Sequence, residues 1–217
     1  MHVEIWSDIA CPWCYVGKRR FEAALAEFEH ADEVQVRWRS FELDPTAPRV
    51  YEGELAAHLA EKYGMTIEEA RERQKHLVEL AAGEGLAFRF DTARRANTFD
   101  AHRLVHLAEA HGLQDAMKER LLLAYFSEGK LISDHDTLAA LAAEVGLAAD
   151  EVTETLAGER YADDVREDER TAQRLGISAV PTFVVERTLA ASGAHPAEAL
   201  LQLLRQGWDA QVPAGRS

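Results

Sequence analysis

The stretch that decides the fold is Ile9-Ala10-Cys11-Pro12-Trp13-Cys14-Tyr15, which contains both cysteines of the chain. A short apolar run, Val3-Glu4-Ile5-Trp6, precedes it, and a helical pattern begins near Pro12. A proline is tolerated in the first turn of a helix, because its missing N–H would have no partner there. Two cysteines spaced C-x-x-C at a strand-to-helix junction indicate redox chemistry when the surrounding fold is βαβ.

The composition is that of a soluble globular protein, with 47% hydrophobic and 29% charged residues. A chain of 217 residues can bury a substantial core, as one large domain or as a domain with an insertion. The formal net charge of −14 argues against nucleic-acid binding, which needs clustered lysine and arginine. The acidic balance is most simply that of a solvated surface.

The sequence shows no recognisable signal peptide or membrane span. Strand-like sequence starts at His2-Val3, without a basic segment followed by an apolar one. No apolar run approaches the roughly 20 residues needed to cross a bilayer. We therefore expect a cytoplasmic location, where stable structural disulfides are unusual and a cysteine pair is expected to react.

The residues on either side of the cysteines predict a β-α-β unit. Val3–Ser7 reads as a short buried strand, and residues 34–41 alternate apolar and polar side chains as a second strand does. Between them, apolar residues recur at helical spacing at Tyr15, Phe21, Leu25 and Phe28. Parallel strands joined by such a helix are expected to wind right-handed.

The middle of the chain predicts a block of helices. Asp44-Pro45-Thr46-Ala47-Pro48 interrupts the first unit. Thr66-Ile67-Glu68-Glu69 has the form of a capping box, and Asn97-Thr98 resembles a helix N-cap. Further helices are expected at residues 54–63, 115–127, 134–145 and 150–157.

The last part of the chain predicts α-β-β-α. A charged helix is expected over residues 163–175, followed by a strand that begins at Pro181, where a missing N–H is tolerated. Leu189–Ser192 is the expected hairpin partner of that strand. Pro196–Leu204 is the expected final helix, with a tail from Trp208 onward.

These elements together predict an α/β protein that has a thioredoxin fold with a large all-helical insertion. The predicted boundaries are 1–44 and 163–210 for a discontinuous thioredoxin-like domain, 45–162 for the inserted helical domain and 211–217 for a tail.

Cys11 and Cys14 are the predicted catalytic residues. Cys11 is expected at the helix N-terminus, where unpaired N–H groups and the helix dipole lower the pKa of the thiol below its usual value of about 8.5. Cys14, one turn further along, is expected to be more buried and to resolve the mixed disulfide formed at Cys11.

Val180-Pro181 is the predicted second part of the site. A proline at the start of a strand in the second half of this fold is expected to form a cis-proline loop that faces the cysteines. The backbone of Val180 would then offer hydrogen bonds to an extended substrate segment.

Several stretches along nearly the whole chain carry a family resemblance. They are Ser7-Asp8-Ile9-Ala10-Cys11-Pro12-Trp13-Cys14-Tyr15-Val16-Gly17-Lys18, Asn97-Thr98, Ala101-His102-Arg103, Ala124-Tyr125-Phe126 with Gly129, Gly176-Ile177-Ser178-Ala179-Val180-Pro181-Thr182-Phe183 and Ser192-Gly193-Ala194. These stretches resemble FrnE-like proteins of the DsbA family of thioredoxin-fold oxidoreductases. The resemblance implies thiol–disulfide oxidoreductase activity, a helical insertion and a cis-proline at Pro181.

The resemblance also implies partners and a substrate site. Disulfide- or thiol-bearing proteins or small molecules are the expected substrates, contacted by Pro12, Trp13, Val180, Pro181, Asn97 and His102. No cofactor beyond a redox-active disulfide and no membrane partner are expected, with glutathione as a candidate thiol. The family borders glutathione-using 2-hydroxychromene-2-carboxylate isomerases and kappa-class glutathione transferases, which typically carry serine at the position of Cys11. A glutathione-dependent isomerase or transferase of small aromatic or polyketide-like molecules is therefore the alternative function.

A non-catalytic interpretation also exists for the cysteine pair. Cys11 and Cys14 could bind zinc with His102 and His106, or be incidental in a binding or holdase module. A lone C-x-x-C beside a βαβ pattern favours redox chemistry, so no metal is expected. His102 could equally be a solvent-facing or a core histidine.

Residues around the pair carry further open interpretations. Lys18 is by default a surface lysine, with a long-range electrostatic role as the alternative. Asp8 or Glu4 could carry protons to and from Cys14, and Asp8 could instead cap the helix. Trp13 is expected to be exposed. Because an indole lacks the charge with which an imidazole could stabilise the thiolate, we predict a redox potential less oxidising than the roughly −120 mV of DsbA. His195 departs from the glutamine expected in the family, and its role is open.

Overall fold

The computed structural model describes residues 1–211, so the predicted tail lies, beyond Gln211, outside the described residues. The chain divides into two compact units. One consists of Met1–Phe41 together with the chain from Arg166 onward, and the other of Glu42–Val165. The predicted domain boundaries, between residues 44 and 45 and between residues 162 and 163, stay a prediction.

The described residues form four strands and nine α-helices. In chain order they are β1 (His2–Ser7), α1 (Pro12–Ala26), β2 (Gln35–Ser40), α2 (Leu55–Tyr63), α3 (Ile67–Gly83), α4 (Phe99–Ala110), α5 (Gln114–Phe126), α6 (His135–Val145), α7 (Ala149–Ala157), α8 (Ala162–Arg174), β3 (Thr182–Val185), β4 (Leu189–Ser192) and α9 (Ala197–Asp209). None of the helices within residues 1–211 is long and apolar enough to cross a membrane.

The strands form one mixed sheet in the order β2-β1-β3-β4. β1 runs parallel to β2 and antiparallel to β3, and β3 runs antiparallel to β4. This is the β-α-β and β-β-α topology of a thioredoxin fold. The predicted fold class, with helices filling the insertion, is confirmed.

Helices cover both faces of this sheet. On one face, Phe21 of α1 stacks on Phe183 of β3 with ring centroids 5.5 Å apart. On the other, the Trp6 indole N–H of β1 donates to the backbone oxygen of Asp168 in α8, 3.0 Å away. Because alternate residues of a strand point to opposite faces, the register of β1 decides which side chains meet which helix.

The second unit is helical throughout its described regular structure. The predicted capping box is present, with Thr66 accepting from the N–H of Glu69 and the Glu69 carboxylate accepting from the N–H of Thr66. The α2–α3 pair has a small alanine-rich core of its own, formed by Ala56, Ala60 and Ala70 with Leu59 and Met65 against it.

The predicted end of the last helix is wrong. Helix α9 continues to Asp209 and includes Trp208, whose ring stacks on His30 with centroids 3.9 Å apart. Gly207, a residue of low helix propensity, is required there, since a Cβ at this position would lie 2.3 Å from Cγ1 of Val185. The close packing of α9 on Val185 of β3 thus explains why a glycine, which disfavours helix formation, lies within this helix.

Candidate active site

Cys11 is the N-cap residue of α1, and Pro12 follows in the first turn. The N–H of Cys14 donates to the backbone oxygen of Cys11 over 3.0 Å, which closes the first turn and places the two residues one turn apart. Both thiols are free. The predicted position of the pair, at a strand-to-helix junction, is confirmed.

Exposure separates the three central residues of the site. Cys11 keeps 4% of its surface exposed and Cys14 none, whereas Trp13 is 43% exposed. Cys11 is therefore the cysteine closer to solvent, and Trp13 is exposed as predicted. Only a small part of the Cys11 surface is therefore accessible from solvent.

The segment before β3 faces the cysteines. The Val180–Pro181 peptide bond is cis, and the Cys11 thiol donates to the backbone oxygen of Val180, with sulfur and oxygen 3.6 Å apart. Pro181 is buried and Val180 half-buried. The two sequence-distant parts of the predicted site therefore meet.

Gly17 of α1 makes this close approach feasible. A Cβ at Gly17 would lie 2.8 Å from Cγ of Pro181 and 3.4 Å from Cζ of Phe183. Any side chain here would push α1 away from Pro181. The stretch resembling FrnE-like proteins includes Gly17, but spacing alone does not reveal this contact.

The turn after β4 is tied to the same place. The Gly193 N–H donates to the backbone oxygen of Pro181 over 2.7 Å, and Arg20 Nη1 donates to that of Ala194 over 2.6 Å. His195 is exposed, and its Nε2 lies 3.0 Å from the backbone oxygen of Ser192. Gly193 and Arg20 thus hold Pro181 against α1, whereas His195 bonds within its own turn.

The pKa of the Cys11 thiol is raised well above its ordinary value. The hydrogen bond with Cys14 is the main cause, followed by burial, the charge of Cys14 and the charge of Asp8. The backbone N–H of Cys14 acts in the other direction, as a helix N-terminus should, but is outweighed. The predicted lowering of this pKa is therefore wrong, because a neighbouring sulfur and a dry environment oppose the helix.

The two carboxylates considered as proton carriers, Asp8 and Glu4, have different contacts. Asp8 is buried, and its Oδ1 accepts from the N–H of Ile9 over 2.7 Å. Since Cys11 is the N-cap, the capping interpretation of Asp8 is wrong. Glu4 is held by Arg39 and Arg187. Burial opposes ionisation of Glu4, but the hydrogen bonds from both arginines outweigh it and lower its pKa, so Glu4 is a poor proton carrier.

Lys18 is buried, so the surface interpretation is wrong. It is only 2% exposed, forms an ion pair with Glu22 one turn along α1, and its Nζ lies 5.9 Å from the ring centroid of Trp38. The aliphatic stem lies in the core while the ammonium reaches a carboxylate and an aromatic face. The sequence pattern alone does not distinguish Lys18 from its half-buried neighbours Arg19 and Arg20.

Asn97 and His102 lie in the helical unit. Asn97 accepts from the N–H of Phe99 over 2.8 Å and donates to the backbone oxygen of Ala47 over 3.3 Å. His102 is 1% exposed within α4, which rules out the solvent-facing interpretation. Substrate contact by either residue stays a prediction. Among residues 1–211, no group of three or more histidines, cysteines or carboxylates is arranged to hold a metal ion.

A thioredoxin fold with a helical insertion, carrying a C-x-x-C pair at a helix N-terminus opposite a cis-proline, defines a thiol–disulfide oxidoreductase. The model of the DSBA-like thioredoxin domain matches residues 2–205. The chain belongs to this family of thiol–disulfide oxidoreductases.

Three known proteins illustrate the likeness. The probable DsbA oxidoreductase SCO1869 from Streptomyces coelicolor is 46% identical, with a TM-score of 0.94 over 100% of this chain and 94% of that one. The uncharacterized protein YwbO of Bacillus subtilis (strain 168) is 28% identical over 87% of this chain and 88% of its own. The cytosolic disulfide reductase DsbM from Pseudomonas aeruginosa with GSH shares the fold, at 23% identity and a TM-score of 0.69 over 96% and 100% of the chains.

Proposed function

We propose that this chain exchanges disulfides with protein or small-thiol substrates through Cys11 and Cys14, in the cytoplasm. The observation that carries the proposal is the contact of the Cys11 thiol with the backbone oxygen of Val180, 3.6 Å away at the N-terminus of α1. The reacting sulfur thereby lies beside a backbone segment that can hydrogen-bond to an extended substrate.

In the reducing direction, the Cys11 thiolate attacks one sulfur of a substrate disulfide. A bond forms between Cys11 Sγ and that sulfur, and the other substrate sulfur leaves as a thiolate that takes up a proton. Cys14 then attacks Cys11 Sγ, which releases the first substrate sulfur and leaves a Cys11–Cys14 disulfide. Two electrons pass to the substrate, and the reverse sequence oxidises a dithiol.

Proton transfer is assigned to Asp8. Its carboxylate is buried three residues before Cys11, and its charge contributes to the raised pKa of the Cys11 thiol. A carboxylate in this position can accept the proton that a thiol loses and return it to a leaving thiolate. Pro12 and Trp13 border the sulfur, and the exposed indole of Trp13 offers an apolar surface to the substrate.

Insulin disulfide reduction tests the exchange. We expect Cys11→Ser to abolish the activity and Cys14→Ser to stop turnover while still forming a mixed disulfide with a substrate. Mass spectrometry under non-reducing conditions then detects the adduct at Cys11. Undiminished activity of Cys11→Ser, or an adduct in Cys11→Ser and none in Cys14→Ser, would contradict the assigned roles.

Glutathione is proposed as the small thiol that reduces the Cys11–Cys14 disulfide. The structure of DsbM with GSH has the same fold, so glutathione is the first thiol to test. Stopped-flow mixing of the oxidised wild-type protein with reduced glutathione should give the Cys11–Cys14 dithiol and oxidised glutathione. Cys14→Ser, mixed with oxidised glutathione, should form a Cys11–glutathione mixed disulfide and release one molecule of reduced glutathione. Glutathione binding without any disulfide exchange would favour the isomerase or transferase alternative, and cell fractionation tests the cytoplasmic location.

A further inference from the structure

The helical unit contains a cavity that shares no residue with the cysteine pair. Its volume is about 260 Å³, and it is lined by Ala47, Arg49, Asn97, Asp100, Ser133 and His135. We call it the Arg49 cavity. Both charged and neutral polar groups face it, so its chemistry is decided by which of them are already paired.

The hydrogen-bond acceptors of the Arg49 cavity are occupied. Oδ1 of Asp100 accepts from Arg103 Nη1 over 2.8 Å, and Oδ2 lies 2.7 Å from Nε2 of His135. Oδ1 of Asn97 accepts from the N–H of Phe99 over 2.8 Å. A ligand that brings only donors would therefore compete with existing bonds.

Among the donors, the Asn97 amide nitrogen and the Ser133 hydroxyl each donate one bond to a backbone oxygen, whereas two nitrogens of Arg49 are not occupied. Arg49 donates from Nε to the backbone oxygen of Ser133 over 3.2 Å. Within residues 1–211, its Nη1 and Nη2 donate to no protein atom. The guanidinium is thus fixed at one nitrogen and presents the remaining fork, the geometry that binds a carboxylate through two parallel hydrogen bonds.

Within residues 1–211, no carboxylate forms an ion pair with that guanidinium, and Asp134 acts on it only through its charge. Asp100 is paired with Arg103. Asp134 is engaged as the N-cap of α6, accepting from the N–H and the hydroxyl of Thr137 over 2.9 Å and 2.8 Å. The cavity also adjoins the first turns of α4 and α6, through Asp100 and His135, and the N-terminal ends of helices favour anions.

The same residues do not form a hydrolytic triad. His135 and Asp100 are hydrogen-bonded, but the Ser133 hydroxyl donates to the backbone oxygen of Arg49. A nucleophilic serine needs its hydroxyl hydrogen-bonded to the histidine base. The cavity is therefore suited to binding and not to acyl transfer.

We propose that the Arg49 cavity binds a small organic carboxylate, held by the Nη groups of Arg49, with the N–H of the Asn97 amide that does not bond to Ala47 as a further donor. This site is independent of thiol chemistry. It makes the helical unit a ligand-binding unit in addition to its place in the fold.

Binding is tested by ¹H–¹⁵N NMR titration of the full-length reduced protein with succinate, at constant ionic strength against chloride. We expect saturable shifts of the Arg49 Nε–H and Asn97 amide signals. Arg49→Gln should weaken binding by about tenfold or more, since it removes a charge-assisted pair. Arg49→Lys, which keeps the charge but not the fork, should lie between wild type and Arg49→Gln. Arg73→Gln, which removes an exposed arginine of the same unit, should leave binding unchanged.

Three outcomes would overturn the proposal. They are shifts that do not saturate in the wild-type protein, equal weakening by Arg49→Gln and Arg73→Gln, and tighter binding of inorganic phosphate than of succinate. No disulfide substrate is present in the titration, so its failure would leave the proposed disulfide exchange untouched. If Arg49→Gln does not fold, the proposal is still tested by whether the wild-type shifts saturate and by whether Arg49→Lys weakens binding.

Discussion

At Cys11, the helix N-terminus and the neighbouring side chains act on the thiol in opposite directions. The N–H of Cys14 favours the thiolate, while Cys14 Sγ, burial and the Asp8 carboxylate favour the thiol. In a close pair, the charge of one thiolate raises the pKa of the other. The reactivity of the Cys11 thiol therefore depends on several neighbouring groups, and each can be tested by a single substitution.

Asp8→Asn should lower the pKa of Cys11 and speed its alkylation. Below its pKa a thiol is mostly protonated and unreactive, so removing a charge that raises the pKa increases the thiolate fraction at pH 7. Iodoacetamide labelling of Cys11 between pH 6 and pH 10, followed by mass spectrometry, gives the midpoint. Asp32→Asn, at an exposed carboxylate of the same unit, is the control. An unchanged or higher midpoint in Asp8→Asn would show that Asp8 does not act on Cys11.

Gly17→Ala should destabilise the protein and slow disulfide exchange. The added methyl group would lie 2.8 Å from Cγ of Pro181, and such overpacking costs about 1–3 kcal/mol. Gly83→Ala, at a helical glycine with nothing within 4 Å, should instead stabilise by up to about 1 kcal/mol through helix propensity. Urea unfolding measures both. Equal changes in the free energy of unfolding for the two substitutions would mean that Pro181 can move away from the added methyl group without cost.

At the scale of elements, a charged cluster joins β1, β2 and α8. Arg39 of β2 donates to Glu4 of β1 and, over 2.8 Å, to Oδ1 of Asp168 in α8. Oδ2 of Asp168 accepts from the N–H of Ser40 over 2.9 Å. Because the folded pKa of Glu4 is lowered, its contribution to stability is complete above its ordinary pKa of 4.5. It is lost as pH falls through the lowered folded value.

Asp168→Asn should weaken the attachment of α8 to the sheet. The substitution keeps the shape but removes the charge that faces Arg39, and breaking a buried pair in this way costs about 3–5 kcal/mol. Glu167→Gln is the matched control. Glu167, the residue before Asp168 on α8, forms only exposed ion pairs, with Arg170 and Arg174. We therefore expect little change in stability from Glu167→Gln. Thermal unfolding measures the stability of both variants. Equal losses of stability would show that Asp168 does not hold α8 to the sheet.

Elements set by local sequence could be predicted, and contacts between distant residues could not. The hairpin strand Leu189–Ser192 and the start of α1 at Pro12 follow from alternation and from the position of proline. The burial of Lys18 does not follow, because its charge looks like that of a surface residue until Trp38 and Glu22 are in place. The pKa of Cys11 was mispredicted for the same reason, since only one of its causes belongs to the helix.

At the scale of the whole molecule, the site determines a redox equilibrium. A disulfide is strongly oxidising when the protein stabilises the reduced form, as a stabilised thiolate does in DsbA. Here the reduced Cys11 thiol is buried beside Cys14 and Asp8, and its pKa is raised. We therefore expect the reduced state to lack the stabilisation that a strong oxidant needs, and the exposed indole of Trp13 supplies no charge to change this.

Equilibration with glutathione should accordingly give a potential less oxidising than the roughly −120 mV of DsbA. Trp13→His should move the potential toward that value, because a protonated imidazole beside Cys11 stabilises its thiolate. Trp13→Phe removes the indole without adding charge, so it should leave the potential near that of the wild type. A wild-type potential at or above that of DsbA would contradict the link between the raised pKa and the redox equilibrium. Equal shifts in Trp13→His and Trp13→Phe would attribute the effect to the loss of the indole and not to charge.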